Sequence, residues 1–120
     1  MSEPTGGTPI DPQAVETAEL NMLSKKAEAS AKKVLESLCD PTRLRIVRAL
    51  RDTTLAASDI ARVIGRSRAA TSQHLKVLRD AEAVVPTRQG NIVRYALSAH
   101  VHGEILEDIG RSFDRLEASA

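Results

Sequence analysis

The chain has one cysteine, Cys39, no tryptophan, one tyrosine and one phenylalanine. A single thiol excludes an internal disulfide framework and fits a reducing compartment. With aromatics at only 2%, the core must be aliphatic, which favours closely packed helices. No apolar run approaches the roughly 20 residues that cross a bilayer. The opening Met-Ser-Glu-Pro-Thr-Gly-Gly has neither the basic nor the apolar region of a signal peptide. A cytoplasmic protein with no membrane partner is expected. No phosphate loop, carboxylate pair or nucleophile–base pair stands at a spacing that supports catalysis, so an enzyme is not expected.

What is present suits one small domain: 120 residues, of which 42% are apolar. Domains of this size gain stability by pairing. The net charge is only +1, but it is unevenly spread. Between Arg62 and Arg94 stand seven basic residues and two acids, a local +5, which leaves the rest of the chain acidic. Such a patch is either a solvated surface or the footprint of a polyanion.

Residues 1–10, with Pro4, Gly6, Gly7 and Pro9, read as a flexible tail, and 11–120 as the folded domain. Asp11-Pro12 is a cap-and-proline helix start. Helix is expected from there to about Leu38, with a break at Ser24 or Ser30 giving two, and with Ala27, Ala31, Val34, Leu35 and Leu38 as its apolar stripe. Asp40-Pro41 repeats the signal and opens a helix to about Arg51, with Leu44, Val47 and Leu50 facing inward. A short helix over 57–64 ends at Gly65, placed for a left-handed cap. Ser67 caps a helix over 68–81 with Thr71, Leu75 and Leu78 inward. Two short strands, 84–88 and 92–97, flank Gly90 and read as a hairpin. A last helix, 99–117, carries the stripe Val101, Ile105, Ile109, Phe113 and Leu116.

Helix, Gly turn, helix and hairpin make a winged helix-turn-helix: mainly α with a small β-hairpin, dimerised through its N- and C-terminal helices. The second helix of such a unit fits a major groove, and the hairpin reaches the adjacent backbone. With Thr71, Leu75 and Leu78 buried, Arg68, Ala69, Ser72, Gln73 and Lys76 face outward. Arg and Gln can each make two hydrogen bonds to a purine edge, and small Ala69 and Ala70 allow close approach. Arg66 and, on the hairpin, Arg88, Gln89, Asn91 and Arg94 complete the expected contact set. The partner is then double-stranded DNA with a pseudo-palindromic operator. A winged-helix protein-interaction module without DNA binding is the alternative.

Three segments carry a family resemblance: Cys39-Asp-Pro-Thr-Arg-Leu-Arg-Ile-Val, Ser72-Gln-His-Leu-Lys-Val-Leu-Arg-Asp-Ala81 and Arg88-Gln-Gly-Asn-Ile-Val-Arg-Tyr-Ala-Leu97. Over about residues 30–116 the chain resembles the ArsR/SmtB family of bacterial transcriptional repressors. The resemblance implies a homodimer built by the first and last helices, repression at a promoter, and release by an effector. It places DNA contacts at Arg68, Ala69, Ser72 and Gln73, with the wing tip at Arg88–Asn91. One departure is Glu82-Ala83, where the family often has Gly-Leu after the recognition helix.

Many members of the family sense metals, but the ligands are missing here. The family's Cys-x-Cys motif aligns with Leu55-Ala56-Ala57-Ser58, and its C-terminal Asp-x-His and His-x-x-Glu align with Ala99, Val101, Ser112 and Arg115. No cofactor is therefore expected at the usual positions. A set shifted by one residue, His100, His102, Asp114 and Glu117, offers zinc- or nickel-type donors, although the shift turns one half by about 100° on a helix. Cys39, beside a helix start and Arg43, is either a redox-responsive thiol or a small buried core residue. Gly103 and Gly110 read as sites of close helix approach at the dimer interface. The effector, the operator sequence and the regulated genes are not legible.

Overall fold

The computed structural model describes residues 7–120. The expected tail over 1–10 lies outside the described residues up to position 6, and 7–10 are exposed bends. The order of elements is α1 (Pro12–Leu20), α2 (Lys25–Ser37), α3 (Pro41–Ala49), β1 (Leu55–Ala56), α4 (Ala57–Ile64), α5 (Arg68–Asp80), β2 (Val84–Gln89), β3 (Ile92–Leu97), α6 (Val101–Ser112) and α7 (Asp114–Ser119). The three strands form an antiparallel sheet in the order β1-β3-β2.

Side-chain caps start the helices, at Asp11, Asp40 and Ser67 as the sequence predicts and at Ser24, one of the two expected break points. Asp11 accepts from the Ala14 N–H (3.0 Å), Ser24 from Ala27 (3.1 Å), Asp40 from Thr42 (2.7 Å) and Ser67 from Ala70 (3.1 Å). Ser24 therefore sets the break between α1 and α2. Helix α1 buries nothing. The core joins Val34 of α2, Ile46 and Val47 of α3 with Leu50 just after it, Ile60 and Ile64 of α4, Leu75 and Leu78 of α5, Val84 of β2 and Leu106 of α6.

Not every apolar position is covered by this chain. In α2 the buried residues are Val34 and Ser37, and Leu35 is 69% exposed. In α3 Ile46 is fully buried while Leu44 is only half-buried. Strand β1 was not expected. Two residues are too short to show alternation, and only pairing with β3, Leu55 opposite Tyr95, defines it. The last helix divides at Phe113. There Arg48 donates to the Gly110 carbonyl (2.6 Å), one of the groups left without an intrahelical partner where a helix stops. Arg51 grips both oxygens of Asp114 (2.9 and 3.1 Å), and Arg48 adds a third contact at 2.9 Å.

The C-terminal stripe faces away from this core. Leu106 is buried and Ile109 half-buried, but Val101, Ile105, Phe113 and Leu116 are 54%, 41%, 38% and 63% exposed. The two glycines do not belong to that exposed stripe. A Cβ on Gly103 would fall on the Ser98 carbonyl, and one on Gly110 would meet Val47 of α3 at 3.8 Å. Gly103 permits a close approach within the chain, whereas Gly110 is buried in the chain with room for a Cβ.

Candidate nucleic-acid interface

The amphipathic helix α4 buries Ala57, Ile60, Ala61 and Ile64. Gly65 ends it in the left-handed region (φ 68°), and the Arg66 N–H returns to the Ala61 carbonyl at 3.1 Å. That turn sets the crossing of α4 and α5. Burial of Thr71, Leu75 and Leu78 then fixes the rotation of α5, and Thr71 Oγ1 donates to the Ser67 carbonyl at 2.8 Å. The opposite face is exposed as expected: Arg68, Ala69, Ser72, Gln73 and Lys76. Ala70 turns partly inward. Lys76 pairs with Asp80 at 3.0 Å, with both side chains well exposed. Such an exposed pair is weak in water.

The wing turns on Gly90 (φ 63°), with Gln89 and Ile92 as the last paired residues. A two-residue loop with positive φ at its first position only has the type II′ pattern, which matches strand twist. Arg88, Gln89 and Asn91 are exposed at its tip. Between wing and α5 lies an open cleft of about 630 Å³. Its lining includes Arg68 and Arg79 from α5, Arg88 and Asn91 from the wing, and Ser58 from the start of α4. Three guanidiniums line this one groove. Arg79 was missed in the sequence, although its spacing from Ser72 and Lys76 places it on the same face. Arg94 is not brought to the cleft. It pairs with Thr87 and Ala56 across the sheet, while its neighbours Val93 and Tyr95 line the cleft. Arg66 is exposed at the turn ahead of α5 and donates to the Gly65 carbonyl at 3.3 Å.

A polar link holds α5 to the start of α3. His74 lies 3.8 Å from Asp40 and 3.4 Å from Arg43. The Thr42 backbone N–H, with Thr42's side chain, His74 and Arg43 adding to it, holds the Asp40 carboxyl below its usual value despite partial desolvation. Cys39 is exposed, with Arg43 Nη2 at 3.3 Å from its sulfur. The buried-core reading of that thiol is therefore set aside.

At the positions that the resemblance aligns with the family's metal ligands stand Ala56, Ala99, Val101, Ser112 and Arg115, none of which carries a carboxylate, imidazole or thiolate. Within one chain the shifted set His100, His102, Asp114 and Glu117 is not brought together. Asp114 is held by Arg51 and Arg48, whose hydrogen bonds keep its carboxyl below the usual range. Asp114 pairs with Arg48 and Arg51, and His100 and His102 stand beside Glu82.

A family model described as a helix-turn-helix domain matches residues 38–87. The transcriptional regulator CmtR of Mycobacterium bovis is 37% identical over 84 residues, covering 67% of this chain and 71% of CmtR. NmtR of Mycobacterium tuberculosis is 37% identical over 75 residues, and the match spans 62% of each chain. Among solved structures, HlyU from Vibrio cholerae superposes with a TM-score of 0.68 at 28% identity, covering 75% of this chain and 98% of HlyU. The transcriptional repressor BigR from Xylella fastidiosa gives 0.69 at 25% identity, covering 86% and 96%. The chain belongs to the ArsR/SmtB family of winged helix-turn-helix transcriptional regulators.

Proposed function

We propose that the protein is a homodimeric, sequence-specific DNA-binding repressor of the cytoplasm, acting by binding and not by catalysis. The observation that carries the reading is the cleft between α5 and the wing, where Arg68, Arg79 and Arg88 surround one groove beside the exposed Ser72, Gln73 and Lys76. Arg68 and Gln73 suit base edges, and Arg79 and Arg88 suit phosphates. No helix among the described residues is long and apolar enough to cross a membrane.

The dimer rests on the exposed stripe of α6 and α7, together with the exposed Leu20 of α1, Met22 and Leu23 of the connection to α2, and Leu35 of α2. Apolar surface left open on a small domain favours association, and a second copy is the simplest partner. Two recognition helices related by a two-fold axis call for half-sites centred about one helical turn apart, roughly 10 bp. Selection of bound duplexes from a random pool, followed by footprinting, tests this. Two inverted half-sites at that spacing are expected. Recovery of no preferred sequence would favour the protein-interaction module instead.

A further inference from the structure

The turn that joins the recognition helix to the wing is built around a residue the backbone does not favour. Glu82 sits at φ 61°, a left-handed position that glycine fills best. It closes the end of α5 with two backbone bonds, Glu82 N–H to Arg79 (2.9 Å) and Ala83 N–H to Leu78 (2.9 Å). Glycine would make the same bonds without the strain, so the identity of Glu82 calls for a use of its side chain. That carboxylate reaches the first turn of α6, where Glu82 Oε2 stands 2.8 Å from His100 Nε2. His102 completes the group, with its ring edge-on to His100 and centroids 4.6 Å apart.

We propose that Glu82, His100 and His102 form a binding site, within one chain, for a divalent transition-metal ion of the zinc class. One donor atom from each lies within 4.8 Å of the others. A tetrahedral ion with bonds of about 2.0–2.2 Å places its donors about 3.3 Å apart. The Glu82–His100 pair has only to open slightly, and the widest gap has to close by about 1.5 Å. Glu82 and His100 are exposed and free to make that movement. His102 is the fixed member. It is buried, and its Nδ1 stands 3.0 Å from the Ala81 carbonyl. A carbonyl only accepts, so Nδ1 carries the proton and Nε2 keeps its lone pair. A ring nitrogen held by a backbone carbonyl with the other one free is the usual outer support of a metal-binding histidine. Water fills the fourth position.

The ion changes the hydrogen bonding of α6. His100 Nδ1 accepts the His102 backbone N–H at 3.1 Å and so caps the helix, leaving the ring proton on Nε2 towards Glu82. The ion takes the Nε2 lone pair, the ring proton moves to Nδ1, and the cap opens without net proton release. The site thereby ties the end of α5 to the start of the helix that bears Val101 and Ile105. Any effect on DNA rests on the repressor reading above, but the binding itself does not.

Calorimetric titration of zinc into the chelator-treated full chain tests the site. One zinc per chain is expected. Glu82→Gly suits the backbone, and His100→Asn keeps a capping oxygen, so both variants fold. Each should weaken binding by at least about tenfold, the scale seen even for loss of outer-shell partners, while Cys39→Ser should not. Cobalt substitution should give the strong visible bands of tetrahedral coordination in the wild type only. Absence of saturable binding, unchanged affinity in Glu82→Gly and His100→Asn, or loss in Cys39→Ser would each overturn the site. Operator affinity, measured with and without zinc, is a separate readout. A zinc-dependent change absent from Glu82→Gly supports coupling through α6. Unchanged affinity overturns the coupling, and failure to bind any duplex overturns the repressor reading.

Discussion

Replacing each of the two glycines of α6 by alanine should move stability in opposite directions. Inside a helix, alanine is favoured over glycine by about 0.8–1.0 kcal/mol. At Gly110 nothing opposes that gain, since the nearest atom to the added Cβ is 3.8 Å away. Gly110→Ala should therefore stabilise by up to about 1 kcal/mol. At Gly103 the added Cβ falls on the Ser98 carbonyl, with the Ser98 carbonyl carbon and Cβ at 3.0 Å. Main chain cannot rotate aside, so the cost lies towards the upper end of about 1–3 kcal/mol for overpacking, and the helix gain offsets only part of it. The two variants should differ by about 2–3 kcal/mol. Urea titration at one fixed chain concentration, because dimer stability depends on it, should separate their midpoints by on the order of 1 M or more. A Gly103→Ala midpoint at or above the wild type would refute the packing argument. Loss of dimerisation in both variants would return the glycines to the interface.

Ile105→Glu puts a charge into the exposed stripe of α6 and should yield a monomer of 13.0 kDa in sedimentation at micromolar concentration; a wild-type monomer there would defeat the dimer. Asp40 and Asp114 both have lowered carboxyl pKa values, Asp40 chiefly from the Thr42 backbone N–H and Asp114 from Arg51. Their stabilisation is fully present above the ordinary value of 3.8 and disappears as pH falls through the lowered folded values. Asp114→Asn should thus lower the neutral melting temperature and flatten the acid limb of the pH–stability curve, and an unchanged limb would argue against the Arg51 contact. Gln73→Ala should relax base preference by about 1–3 kcal/mol of discrimination, read from competition between site variants. Arg88→Ala should weaken all duplexes alike.

Local signals carried most of the fold. The caps at Asp11, Asp40 and Ser67 and the left-handed Gly65 are consequences of neighbouring residues, and they stand where the sequence places them. So does the inward face of α5, because Thr71, Leu75 and Leu78 leave only one rotation. The misses depended on distant partners. Strand β1 is defined by pairing with β3, and the break at Phe113 coincides with the grip of Arg48 and Arg51, which lie more than sixty residues away. The apolar stripes of α2 and α6 were legible by periodicity, and their exposure in this chain agrees with the expectation that they pair with a second copy. The recognition face was legible residue by residue, and Arg79 was missed although its spacing from Ser72 and Lys76 puts it on that face. The Glu82–His100–His102 cluster was half visible: the histidines stood out, while their third partner is brought in by the turn after α5.

The most direct test of the central claim is the affinity of the selected duplex across a series of salt concentrations, measured by fluorescence anisotropy. Arg68, Arg79 and Arg88 around one cleft should give a steep fall of log affinity with log salt, and each Arg→Ala change should reduce that slope by about one unit where the arginine meets a phosphate. A wild-type affinity independent of salt, or slopes unchanged in all three variants, would contradict the account.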